Sequence, residues 1–179
     1  MKKRWKIIVL LVVLTILLTG CSDVREGINS AVDAQKTVNI EDIQFPEGWA
    51  LDETESDATT FTYAPGGDMI NAGCMIQISE EYVGFDFFTT YILGNPKVSG
   101  WILKKTFESG GATNIEFKDC GETLIGTTTK ITMDLEEYGY VVPMEVYFST
   151  EAGFQYMVSN VDSYGTNASD VTAEILGIE

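Results

Sequence analysis

Histidine is absent from all 179 residues. Its absence removes Ser-His-Asp and Cys-His catalysis, the commonest general base, and every imidazole-ligated zinc or haem site. No other nucleophile motif replaces it. Positive charge is scarce as well, with 11 Lys and Arg against 27 Asp and Glu and a formal net charge of −16. There is no internal repeat and no low-complexity stretch. One long hydrophobic run exists, residues 7–18, and it is too short for a comfortable membrane span, which takes about 20 apolar residues. It has the length of a secretory signal core.

What surrounds that run is informative. Lys2, Lys3, Arg4 and Lys6 precede it, and Leu18-Thr19-Gly20-Cys21 closes it. The order of basic residues, apolar core and small residues before a cysteine resembles the lipobox of bacterial lipoproteins. The resemblance implies a signal peptide over residues 1–20, cleavage before Cys21, and a diacylglyceryl lipid with palmitate-type acyl chains on that cysteine. The protein is then expected outside the cytoplasm, lipid-anchored to the bacterial cell membrane. An uncleaved membrane anchor, or an ordinary signal peptide in which Cys21 is incidental, is the competing reading.

Without residues 1–20 the chain keeps 7 Lys and Arg against 27 Asp and Glu, a net charge of −20. Such a chain repels nucleic acid and anionic headgroups. No nucleic-acid partner is expected, and the membrane contact is expected through the lipid on Cys21. Solubility in a crowded exterior accounts for the acidity; attraction of cations or of a basic partner is the alternative. Residues 21–37 are polar and read as a tether. Residues 38–179 form one domain large enough for a real core. Two further cysteines, Cys74 and Cys120, stand open to two readings: a disulfide worth roughly 4 kcal/mol of loop entropy, or two thiols with Cys74 buried as a small hydrophobe.

Periodicity outlines the domain. Val38, Ile40 and Ile43 suggest a first strand. Phe61 and Tyr63 share a face of a second, and Ala64-Pro65-Gly66-Gly67-Asp68 is a turn. Ile70, Ala72, Cys74, Ile76 and Ile78 alternate as one face of a half-buried strand. After Ser79 the period changes: Tyr82, Phe85, Phe88 and Ile92 step as on a helix. Asn95-Pro96 starts a second helix with Val98, Trp101 and Ile102 expected inward, and Ser109-Gly110-Gly111 ends it. Strands resume at Thr113. Ile131 and Met133, then Met144, Val146 and Phe148, then Phe154, Tyr156 and Val158 mark a meander joined by short acidic, glycine-ended turns. Asn167 to Asp170 offers caps for a last helix carrying Val171, Ile175, Leu176 and Ile178. The expected fold is α+β, an antiparallel sheet with helices packed against it.

The pieces "FPEGWALDE", "TTFTYAPGG…GCMIQIS" and "MEVYFSTEAGFQYMVSNVDSY", followed by "DVTAEILGIE", resemble the PsbP-like domains of bacterial lipoproteins in pattern and order. That resemblance implies an α/β/α sandwich over residues 38–179 and a role in binding or assembly. It transfers no site residues.

The acidic groups Asp52-Glu53-Glu55-Asp57 and Asp134-Glu136-Glu137 lack the spacing of an EF-hand loop and are expected to be solvated loops, so no metal or cofactor is expected. Pro65-Gly66-Gly67 precedes a strand and lacks the lysine of a phosphate loop. Aromatics are the better binding candidates. Trp49 stands beside a turn, and Tyr147 falls on the strand face opposite the apolar stripe, so these two are expected to be exposed contacts. The function expected is a non-catalytic lipoprotein that binds a protein partner or small ligand. A cell-surface hydrolase built on paired carboxylates is the alternative.

Overall fold

The computed structural model describes residues 38–82, 96–137, 139–151, 153–163, 165 and 167–178. Seven strands form one antiparallel sheet: β1 (Trp49–Leu51), β2 (Thr60–Pro65), β3 (Cys74–Tyr82), β4 (Thr113–Thr123), β5 (Gly126–Glu137), β6 (Tyr140–Glu151) and β7 (Phe154–Asp162). Their order across the sheet is β1-β2-β3-β7-β6-β5-β4. Among the described residues three helices accompany it: the short α1 (Met69–Ala72), then α2 (Pro96–Gly110) and α3 (Ala168–Leu176). This is the α+β fold expected. Among the described residues no helix is long and apolar enough to cross a membrane.

The two sheet faces bury separate cores. On one, Cys74, Ile76 and Ile78 of β3 and Tyr156 and Val158 of β7 pack against Val171, Ile175 and Leu176 of α3 and against Val38, Ile40 and Ile43. On the other, Ile131, Met133, Met144, Val146 and Met157 pack beneath Phe107 of α2. Each fully buried aliphatic or aromatic side chain contributes roughly 1.5–3 kcal/mol. Pairing register explains why both cores draw on the same strands: Tyr147 lies opposite Val158, and Phe148 opposite Met157. The apolar stripe of β6 at Met144 and Val146 therefore faces α2, whereas that of β7 at Tyr156 and Val158 faces α3. The two stripes lie on opposite sides of the sheet.

Several local expectations are corrected. Residues 38–43 form no strand. Asn39 Nδ2 donates to Asp42 Oδ2 at 2.9 Å and Ile43 N donates to Ile40 O at 3.1 Å, closing a 3-10 turn over Ile40–Asp42. The apolar residues are buried all the same. The alternation beginning at Ile70 is interrupted by α1, where Asp68 accepts the Asn71 amide at 3.0 Å and Gly73, at φ 65°, ends the turn. Ile70 is 77% exposed. The helix expected after Ser79 does not start there, since Glu80, Glu81 and Tyr82 remain in β3, paired with Tyr156, Gln155 and Phe154. Phe85, Phe87, Phe88 and Ile92 lie outside the described residues, as do Cys21, the signal segment 1–20 and the tether.

The last helix begins where expected. Asn167 occupies the cap position but makes no side-chain cap bond. Instead Asp162 Oδ2 accepts the amides of Asn167 at 3.0 Å and Ala168 at 3.4 Å. At its other end, Gly177 in the left-handed region lets Ile178 N reach Ala173 O at 2.9 Å, a Schellman-type stop. The outer strand β4 breaks register with β5 twice, between Thr113 and Glu116 and between Asp119 and Gly121.

Candidate functional site

The face beneath α3 holds the best-built polar cluster. Register places Lys130 opposite Tyr147, and Glu145 opposite both Thr132 and Asn160. Glu145 Oε1 meets Lys130 Nζ at 2.6 Å. Its Oε2 accepts from the Tyr147 hydroxyl at 3.0 Å, Asn160 Nδ2 at 3.1 Å and Ser169 Oγ at 2.8 Å. Asn160 also donates to Thr172 Oγ1 at 2.9 Å, and Thr172 donates to Ala168 O at 2.7 Å. The Lys130 ammonium sits 5.2 Å from the centre of the Tyr147 ring, within cation–π range. One carboxylate thus ties three strands to the first turn of α3.

Electrostatics follow from that geometry. Burial pushes the Glu145 carboxyl up, but the bonds from Lys130, Asn160 and Ser169 outweigh it and hold the group below its usual value. Burial pushes Lys130 down, and its bonds with Glu145 and Tyr147 more than restore it, leaving it raised. Burial, with the Glu145 charge adding, lifts the Tyr147 phenol to about 12. All three groups are held in the protonation states of neutral pH. None is poised to exchange a proton there.

Tyr147 is therefore not an exposed contact. It is 1% exposed. The expectation of a solvent face failed because α3 covers the side of the meander that α2 does not. Trp49 is half-buried in β1 and packs against the main core. Its ring stands 6.3 Å from that of Phe45, which stacks on Tyr63 at 3.8 Å. It forms part of an aromatic edge with one side open.

Cys74 and Cys120 are free thiols. Cys74 is on β3 and Cys120 on β4, four interstrand steps apart. At about 4.8 Å per step that is roughly 19 Å, far beyond the Cα separation a disulfide tolerates. The disulfide reading is set aside.

The acidic segment 52–59 is more than a solvated loop. Asp52 is 4% exposed. It accepts from Thr54 Oγ1 at 2.6 Å, from Thr54 N at 3.1 Å and from Met69 N at 3.0 Å. The Thr54 hydroxyl, followed by the Met69 amide, keeps its carboxyl below the usual value. Asp57 Oδ1 accepts the amides of Thr59 and Thr60. These aspartates organise the loop as backbone acceptors. Of the second acidic group, Asp134 accepts Asn114 Nδ2 at 2.7 Å and Glu136 is exposed.

The binding candidate that sequence reasoning turned the wrong way is Trp101, which is 62% exposed. The sheet-facing stripe of α2 is Gly100, Leu103 and Phe107. Phe117 of β4 presses so close to Gly100 that a Cβ there would stand 3.2 Å from its ring. Trp101, one residue round the helix, is thrown outward. Glycine at position 100 was the available signal, since a helix interior that accepts glycine often does so for a close approach.

No protein-family model matches this chain, and no curated protein does. Solved structures do. A cyanobacterial PsbP from Synechocystis sp. PCC 6803 is 16% identical with a TM-score of 0.45, covering 77% of this chain and 84% of its own. The yeast Ran-binding protein Mog1p is 10% identical with a TM-score of 0.45, covering 73% and 76%. A Bacteroides thetaiotaomicron VPI-5482 protein is 13% identical with a TM-score of 0.45; the match covers 74% of this chain but only 41% of that one. At this level the likeness is loose and one of fold, and the binding role named for Mog1p stays with that protein.

Proposed function

We propose that this chain is a bacterial lipoprotein, anchored through Cys21 at the outer face of the cell membrane, whose PsbP-like domain binds a protein partner or small ligand without catalysing a reaction. The observation that carries the binding role is how side chains are disposed. The ionisable groups brought together at Glu145 are bonded to one another and to α3, while Trp101 and Tyr140 are 62% and 74% exposed. Aromatic side chains outside the core are the usual anchors of interfaces. Anchoring is supported by the basic–apolar–lipobox order of residues 1–21, and two acyl chains on one cysteine suffice for stable attachment.

Two measurements test this reading. Cys21→Ala in a bacterial host is expected to release the protein from membranes or leave its precursor unprocessed. Crosslinking in intact membranes is expected to capture a partner whose recovery falls with Tyr140→Ala or Trp49→Ala at unchanged fold. Robust turnover of cell-wall glycans or peptides, abolished by replacing one acidic residue, would move the protein to the hydrolase class.

A further inference from the structure

Net charge conceals an uneven distribution. After residue 37 the sequence has five lysines and no arginine. Lys130 is bonded to Glu145 and Lys118 lies on β4. The other three, Lys97, Lys104 and Lys105, all fall within the fifteen residues of α2, whose sole acid is Glu108. One helix is thus net positive in a strongly negative domain. With Gly100, Leu103 and Phe107 turned to the sheet, Trp101, Lys104, Lys105 and Glu108 follow the i, i+3, i+4, i+7 spacing of the outer stripe. Trp101 is 62% exposed, and the Lys105 side chain is 58% exposed in a surface pair with Glu108 at 2.7 Å. Such a pair is worth at most about 1 kcal/mol and gives way to a better anion.

We propose that this ridge is the face the domain turns toward an anionic lipid bilayer. Indole rings settle at the headgroup level. Lysine stems lie along apolar surface while their ammonium groups reach the phosphates. The overall acidity does not forbid the contact, because solvent-exposed charges farther than about 8–10 Å from the headgroups are largely screened in physiological salt. Layers of the sandwich are about 10 Å apart, so acids on the α3 side, such as Glu145 and Asp170, lie beyond that range of a bilayer on the α2 side. The inference rests on the anchoring proposed above: held close, the domain needs only an orientation, whereas a free domain of this charge would drift away. The tether leaves at Val38, on the α3 face, about 20 Å from α2. Its 16 residues after Cys21 reach about 24 Å as a helix and about 54 Å extended, enough for either face to meet the bilayer.

The test uses the processed, lipidated chain reconstituted into vesicles, with Trp49→Phe so that Trp101 is its single tryptophan. Brominated acyl chains report its depth. In vesicles of equal phosphatidylglycerol and phosphatidylcholine, Trp101 emission is expected to be quenched. In pure phosphatidylcholine, or with Lys104→Gln and Lys105→Gln together, quenching is expected to vanish while flotation is unchanged; the two lysines account for about a thirty-fold change in the ratio of docked to undocked orientations. A floating protein whose Trp101 escapes quenching in charged vesicles overturns the proposal and leaves the anchoring intact. A response to polyglutamate equal to that to charged vesicles also overturns it, by assigning the ridge to an acidic protein. If the protein fails to float, the anchoring reading falls. The measurement is then made on the mature chain coupled through Cys21 to a maleimide lipid in a Cys120→Ser background, and absence of quenching there overturns the proposal on its own.

Discussion

Replacing Glu145 by alanine is the sharpest test of how the sandwich is held together. The carboxylate joins Lys130, Tyr147 and Asn160 on three strands to Ser169 on α3. Alanine removes the acceptor and strands a cation whose side chain is only 20% exposed. Breaking a buried pair costs about 3–5 kcal/mol. With one edge near solvent, where water can reach Lys130, the expected loss is about 3 kcal/mol, which for a domain of this length lowers Tm by roughly 10 °C. Glu145→Gln keeps an acceptor oxygen but not the charge and should cost about half as much. Lys130→Met with Glu145→Leu removes both charges at similar volume and is expected to recover the part of the loss due to the stranded cation, about 1–2 kcal/mol, while the Tyr147, Asn160 and Ser169 donors still lack that acceptor. Urea unfolding followed by circular dichroism measures all three. A loss below about 0.5 kcal/mol for Glu145→Ala, or a double variant as unstable as the single one, would refute the view that this carboxylate is a neutralising clamp.

Other expectations follow from the same geometry. Tyr147 titrates at about 12 folded against 10.0 unfolded, so its contribution is whole below pH 10 and is lost as pH rises toward 12. Lys130, also raised, acts in the same direction, and Tyr147→Phe should flatten the alkaline fall in urea midpoint. Glu145 is held below 4.5, so its contribution is whole above that pH and is lost as acid protonates the folded carboxylate. Phe107→Ala empties the centre of the α2 core and should cost about 3–5 kcal/mol in the same unfolding assay. Gly126 has φ 95°, and a Cβ there would meet Glu151 Oε2 at 2.9 Å and Ser149 Oγ at 3.1 Å; Gly126→Ala is expected to lower stability by about 1–3 kcal/mol. Thiol labelling should modify Cys120 in the native protein and Cys74 only on unfolding, and a reductant should leave Tm unchanged.

The strands from Thr113 onward were legible because period-two alternation, short glycine-ended turns and a final capped stripe all agreed. The class of fold and α3 were read on the same grounds. Misreadings arose where a local polar bond overrode the pattern. Asn39 with Asp42 bent the expected first strand into a turn, and Asp68 wound residues 69–72 into a helix. Tyr147 was misplaced for a different reason. Alternation tells which residues share a face of a strand, but not whether the opposite face meets water or a second helix. Trp101 shows the converse: helical spacing alone made it core, and only the approach of Phe117 to Gly100 decides which stripe turns inward. The Glu145 cluster has no signature in sequence, since its members are distant along the chain and meet only through strand register.

The two register breaks of β4 bear on what happens when many copies share a surface. An outermost strand of 11 residues that ran straight would offer its free amides and carbonyls to any neighbour and invite sheet-to-sheet polymerisation. Breaking the ladder twice, with Lys118 and Asp119 between the breaks, leaves no in-register run longer than the four residues Glu116–Asp119 for a second chain to follow. Crowding, which drives edge-exposed domains toward fibrils, meets a poor template at this edge.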